Sequence, residues 1–142
     1  MRHLFTLSSF DDFEVRGIVI NTLTRFEISG ERIEKAEKIG EAEQGEESHC
    51  TWRDLCPYVR NIIKGKEKPQ SMEIKFALAE PEKLHKNAAA LFIIMRYSSQ
   101  ITCVTGSSQK NFELNKIIDS EWDSWVIAFF KQLGITFTLD DS

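Results

Sequence analysis

The chain has 142 residues, 42% of them hydrophobic and 28% charged, which describes a single globular domain and excludes a disordered polymer. A chain of this length buries about two-thirds of its unfolded surface, so no disulfide or metal staple is needed for stability. The net charge of −4 and a pI near 5.4 set it against general nucleic-acid binding, which favours a basic surplus.

In chain order, the start "MRHLFTLSSFDDF" lacks the long apolar core of a signal peptide. Phe13 to Ile28 is rich in β-branched and aromatic residues and reads as one long bent strand or two short ones. Ser29-Gly30, between "RFEI" and "ERIE", has the small-residue-then-glycine form of a tight hairpin turn. Helix is the competing reading for Glu31 to Glu43, since Glu31 with Lys35 and Glu34 with Lys38 are favourably ordered pairs. Seven Glu and three basic residues lie between Glu31 and Cys50, which carries the whole net charge of the chain. Residues 40–50, with no apolar periodicity, are expected to form a mobile acidic loop.

Thr51 to Lys64 predicts a helix, with Trp52, Leu55, Cys56, Val59, Ile62 and Ile63 on one face. Thr51 and Asp54 have capping-box spacing, Pro57 predicts a kink or irregular first turn, and Gly65 ends the helix. Met72, Ile74, Phe76 and Leu78 alternate with Glu73 and Lys75, as in a strand with one buried face. "EPEKLHKN" suits a turn or short helix. Ala88 to Tyr97 reads as a buried strand, "ITCVT" and "NFEL" as two more, with "GSSQK" turning between them. A last helix is expected near Ser120, capped by Ser120 and Asp123, with Trp122, Trp125, Val126, Phe129 and Leu133 towards the core. Gly134 stops it, and "ITFTL" predicts a terminal strand.

Few residues carry chemistry. Arg60, Lys64, Lys66 and Lys68, against Glu67 alone, make residues 60–68 strongly basic. A phosphate-binding loop needs strand, glycine-rich turn and helix N-terminus. Gly65 instead follows a helix C-terminus, where the dipole itself favours lysines. Asp119, Glu121 and Asp123 are explained without metal by their place in a helix's first turn. Thr105 to Ser108 reads as a turn rather than an oxyanion site. His3, His49 and His85 have no partner at ligand spacing, no C-x-x-C occurs among Cys50, Cys56 and Cys103, and no nucleophile elbow is present. Cys56 and Cys103 lie in apolar segments and are expected to be buried small hydrophobes. The longest apolar run, Ala88 to Met95, is too short to span a bilayer. A reduced, cytoplasmic protein is expected.

Two stretches carry a family resemblance. Thr51 to Pro69 has the pattern W-x-x-[IL]-x-P-x-x-x-x-[IL]-I-K-G-K-x-x-P through Trp52, Pro57, Ile63, Lys64, Gly65, Lys66 and Pro69. Leu91 to Ile135 matches through Leu91, Phe92, Tyr97, Thr102 to Gly106, Ser108, Phe112, Leu114, Trp122 and Asp123. Both resemble a family of small clostridial proteins of unknown function, so the resemblance implies a bacterial source and brings no activity. In that family a strand and a full helix precede the "FD.F" segment, here Phe10 to Phe13. The resemblance therefore implies that the first strand is missing here or that the true start lies upstream of Met1.

Together these readings predict one α+β domain over residues 1–142: a mainly antiparallel sheet of about six strands with two amphipathic helices on one face. The leading expectation is a non-catalytic binding or assembly module with a protein partner or a homo-oligomeric state, no cofactor, no metal and no membrane. The element order also faintly resembles one domain of a DNA sliding clamp. An alternative is therefore a clamp-like or nucleic-acid-associated protein using Arg60, Lys64, Lys66 and Lys68. An enzyme would need His49, Cys50 or the acids near Asp119 to converge in space.

Overall fold

The apolar alternation along the strands fixes the architecture. A computed structural model of the chain describes residues 2–5, 8–33, 48–64 and 69–139. A short helix α1 (Arg2–Phe5) precedes β1 (Glu14–Asn21) and β2 (Arg25–Ile28). Then come α2 (Trp52–Ile63), β3 (Ser71–Ala77), one 3-10 turn (Pro81–Lys83), β4 (Ala88–Tyr97), β5 (Ile101–Gln109) and α3 (Ile117–Gln132). The strands form a single sheet, ordered β2-β1-β3-β4-β5, and every neighbouring pair is antiparallel. The class is α+β, with five strands in the described residues.

Residues directly opposite each other in an antiparallel pair point to the same side of the sheet. Val15, Phe76 and Ile93 form one such row; Ile18, Ile74 and Met95 form the next; Ile20, Met72 and Tyr97 form a third. All but Tyr97 are buried, which makes one apolar face. Both long helices lie on it. Trp52, Cys56 and Val59 of α2 share one core with Ile118, Trp122, Val126 and Phe130 of α3. Each fully buried large side chain contributes about 1.5–3 kcal/mol.

α2 begins as its sequence dictates. The Thr51 side chain accepts from the Asp54 N–H and the Asp54 carboxylate from the Thr51 N–H, and the helix runs on through Pro57. Trp52, its first residue, is fully buried and donates its indole N–H to the Leu4 carbonyl at 2.8 Å, pinning α1 against α2. α3 ends in a left-handed Gly134 (φ 74°), where the Gly134 and Ile135 N–H groups return to the Lys131 and Phe130 carbonyls. This closes a Schellman motif.

Several expectations give way. The β1–β2 hairpin turns at residues 22–24, with Thr22 donating to the Thr24 carbonyl. Gly30 does take a positive φ of 79°, but for another reason: a Cβ there would lie 2.1 Å from the Val15 carbonyl oxygen. β5 runs straight through Gly106 to Gln109, because the partner ladder on β4 and hydroxyl bonds to α3 outweigh the turn propensity of "GSS". "NFEL" is irregular. Buried Asn87 holds it there, exchanging side-chain bonds with the Asn111 carbonyl and N–H. α3 starts three residues earlier than Ser120; the Asn115 side chain accepts from the Ile117 N–H, and Lys116 is the N-cap. Residues 135–139 form no strand, though Ile135 and Phe137 pack on the core. The acidic loop falls mostly outside the described residues, as does Gly65.

Candidate functional site

The sheet's second face is the main surface that no described helix covers. Register places Glu27, Val19, Glu73, Arg96 and Thr102 in one row across it. The next row is Gly17, Lys75, Ile94 and Val104, and the next holds Ala77, Phe92 and Gly106. Val19, Phe92, Ile94 and Val104 take no part in the core. Lys75 lies over the Phe92 ring, 4.2 Å from its centroid, in a cation–π contact. The charged row is internally neutralised, Arg96 with Glu73 at 3.5 Å and Arg25 with Glu27 at 3.0 Å. At that end Asn21, Arg25, Glu73, Arg96 and Tyr97 border a shallow cleft of about 400 Å³. The face is therefore apolar in its middle and mixed in charge at one end. Such a surface suits contact with another macromolecule better than chemistry on a small one.

This face borders a free edge. Among the described residues β5 pairs only with β4, so half of its backbone N–H and C=O groups point away from that sheet. Two of its helix-side residues are polar and tied down: the Thr105 hydroxyl donates to the Asp123 carboxylate and the Ser107 hydroxyl to Asp119. These bonds give the acids of α3 a structural task. Cys103, opposite Met95, lies on the same side but is exposed, against the expectation of burial, because the edge strand outruns the helices that cover the sheet. Cys56 is buried as expected; burial pushes its thiol pKa up, against the pull of Arg60.

The basic set is only partly placed. Arg60, on the last turn of α2, and Lys64, its C-cap, are both exposed, and Arg60 lies one turn on from Cys56, whose thiol it reaches. Lys66 and Lys68 lie outside the described residues. The residues an enzyme would need to bring together are apart. His49 bridges to Glu31 beside the start of β1, with its Nδ1 on the Ser48 hydroxyl at 2.8 Å. Asp119 and Asp123 face β5. His3 is held by Ser9, and His85 Nδ1 accepts from the Asn87 N–H. Among the described residues no group of three His, Cys, Asp or Glu side chains is placed to hold a metal ion, and no helix is long and apolar enough to cross a membrane.

Sequence reasoning overlooked the bare face, although two signals pointed to it. Ala90, Phe92 and Ile94 make β4 apolar on the outer side as well as the inner. From Tyr97 to Gln109 there are thirteen residues without a charge, the longest such run in the chain.

Fold and surface together define a single-sheet α+β domain with one helical and one bare face. Residues 3–138 match the family of unknown function DUF5721, and the chain belongs to that family. No curated protein and no solved structure matches it.

Proposed function

We propose that the protein is a non-catalytic binding or assembly module of the bacterial cytoplasm, and that the helix-free face of its sheet is the surface it presents. One observation carries the reading. β4 is apolar on both sides, as a strand buried from both faces would be, yet the described chain covers only one of them. Phe92 and Ile94 then sit half-buried on a flat surface, with Val104 more open beside them. Exposed apolar patches of this kind mark interaction sites. Three free cysteines are consistent with a reducing compartment.

The test compares wild type with Ile94→Glu. Ile94 is outside the core, so the variant should keep its circular dichroism and melt within a few degrees of wild type. Immobilised wild type should retain a partner from native cell extract that the variant loses. Identical capture by both proteins, or turnover of a small molecule by the purified chain, would overturn the reading.

A further inference from the structure

The two edges of the sheet are not alike. β2 is four residues long and carries Arg25 and Glu27, both exposed. Short length and charge are the usual guards of an edge strand. β5 is nine residues long and has no proline and no charge. The irregularity in its ladder falls on β4, between Ala88 and Ala90, so pairing continues at full length along β5. Five of the large apolar residues most open to solvent come from this strand, the connection that follows it and the first residue of α3: Ile101, Val104, Phe112, Leu114 and Ile117. One edge is closed to further strands and the other is left open.

We propose that the free edge of β5 pairs antiparallel with β5 of a second copy of this chain, forming a two-fold dimer with a continuous ten-stranded sheet. The inference deepens the binding-module reading by naming one partner. Self-pairing is favoured by the strand's own sequence. Pairing all nine residues requires the axis to pass at Thr105, which then faces its own counterpart, a favourable cross-strand pair. Ile101 is then opposite Gln109, Cys103 opposite Ser107 and Val104 opposite Gly106. Gly106 leaves a notch on the outer face, walled by Phe92, whose ring carbon would lie 4.0 Å from a Cβ at that position. Val104 of the second copy enters that notch and covers apolar surface that is open in the single chain. No like charges meet along the strand, because the strand has none.

The geometry also limits the assembly. An isologous antiparallel pair keeps corresponding faces together, so both copies place their helices on one side and their bare faces on the other. The new outer edges are the two guarded β2 strands, and growth stops at two. Backbone pairing alone buries too little for a stable dimer, so the flanking Phe112, Leu114 and Ile117 must add to the contact.

Three measurements on the full chain test this. Sedimentation equilibrium of wild type should show a particle of twice the 16.4 kDa chain mass, dissociating on dilution. Val104→Asp places a charge in the apolar notch at Gly106 and should give a monomer with native circular dichroism. Ser107→Cys should form a disulfide-linked dimer under mild oxidation, because it faces Cys103 of the second copy. Within one chain those positions are roughly 13 Å apart along the strand, too far for a bond. Replacing Cys103 with Ser in that variant should abolish the link. A wild type that is monomeric at high micromolar concentration overturns the proposal, and so does a dimer that survives Val104→Asp and fails to cross-link. Neither result touches the binding-module reading, which stands or falls on Ile94→Glu.

Discussion

Trp122 on α3 donates its indole N–H to the backbone carbonyl of Phe92 on β4 at 2.9 Å, across the boundary between helix and sheet. Trp52 does the same for α2, reaching the Leu4 carbonyl. Each long helix is thus fixed by a buried tryptophan whose polar atom is satisfied by main chain rather than by water.

The first prediction separates two neighbouring tryptophans. Trp122 is 1% exposed, whereas Trp125 is half-buried and stacks between Trp122 and Phe129 at 5.2 and 5.1 Å. The helical spacing of the sequence suggested Trp125 as core, but the deepest line of α3 is Ile118, Trp122, Val126 and Phe130. Trp122→Ala should cost about 3–5 kcal/mol through the cavity and the orphaned carbonyl. Trp125→Ala should cost about 1–2 kcal/mol, as loss of stacking at a partly open site. Urea unfolding of both variants checks this, and equal losses would contradict the assignment.

A second concerns Gly30. Its φ of 79° and the 2.1 Å approach to the Val15 carbonyl leave no room for a methyl group. Gly30→Ala should destabilise the chain by about 3 kcal/mol or more, beyond the ordinary cost of a strained φ. The damage should fall on the strip where Cys50 donates to the Gly30 carbonyl and Val15 to the Cys50 carbonyl. Amide exchange at Val15 and Cys50 should rise more than at β4.

The third turns on pH. Burial first, and then the Arg16 guanidinium, hold the His49 pKa below its ordinary 6.5, against the pull of Glu14 and Glu31. Above pH 6.5 both folded and unfolded chains carry it neutral, so it has no effect there. As pH falls below 6.5 the unfolded chain takes the proton first, and stability drops until the folded pKa is passed. Melting temperatures of wild type and His49→Gln, from neutral pH down to about pH 5, should diverge on the acid side, with the variant losing less.

The fourth addresses the seam between β5 and α3. Ser107 with Asp119 and Thr105 with Asp123 join the edge strand to the helix above it. A double-mutant cycle on Ser107→Ala and Asp119→Asn should show a coupling of about 1 kcal/mol, typical of a hydroxyl bonded to a carboxylate. A coupling near zero would leave those acids without the structural role assigned to them.

The sequence made some of this legible because the signals were local. The capping box of Thr51 and Asp54, the alternation of Met72, Ile74 and Phe76, and the stop at Gly134 each depend on residues within a turn or two. The errors arose where distant partners decide. "GSSQ" has turn composition, yet β4 on one side and α3 above it draw it into a strand. Ser120 looks like a cap, but the side chain of Asn115 starts the helix earlier. Cys103 looked like core, and only the sheet order shows it to be at an edge. The basic residues 60–68 were visible as charge alone, and charge does not specify what it meets.

The sheet order has a kinetic consequence. β3, β4 and β5 follow one another with short connections, so their ladders close over little intervening chain. β1 joins β3 only by bringing together residues such as Asn21 and Ser71, 50 positions apart, with α2 between them. Closing that loop costs entropy before any contact repays it, so the three-strand meander is the natural early nucleus and docking of β1 is the slow step. Until β1 arrives, the apolar inner side of β3 lies next to an open edge. Slowing that step, for example by lengthening the connection between β2 and α2, should lower the yield of folded protein more than it lowers the stability of what does fold.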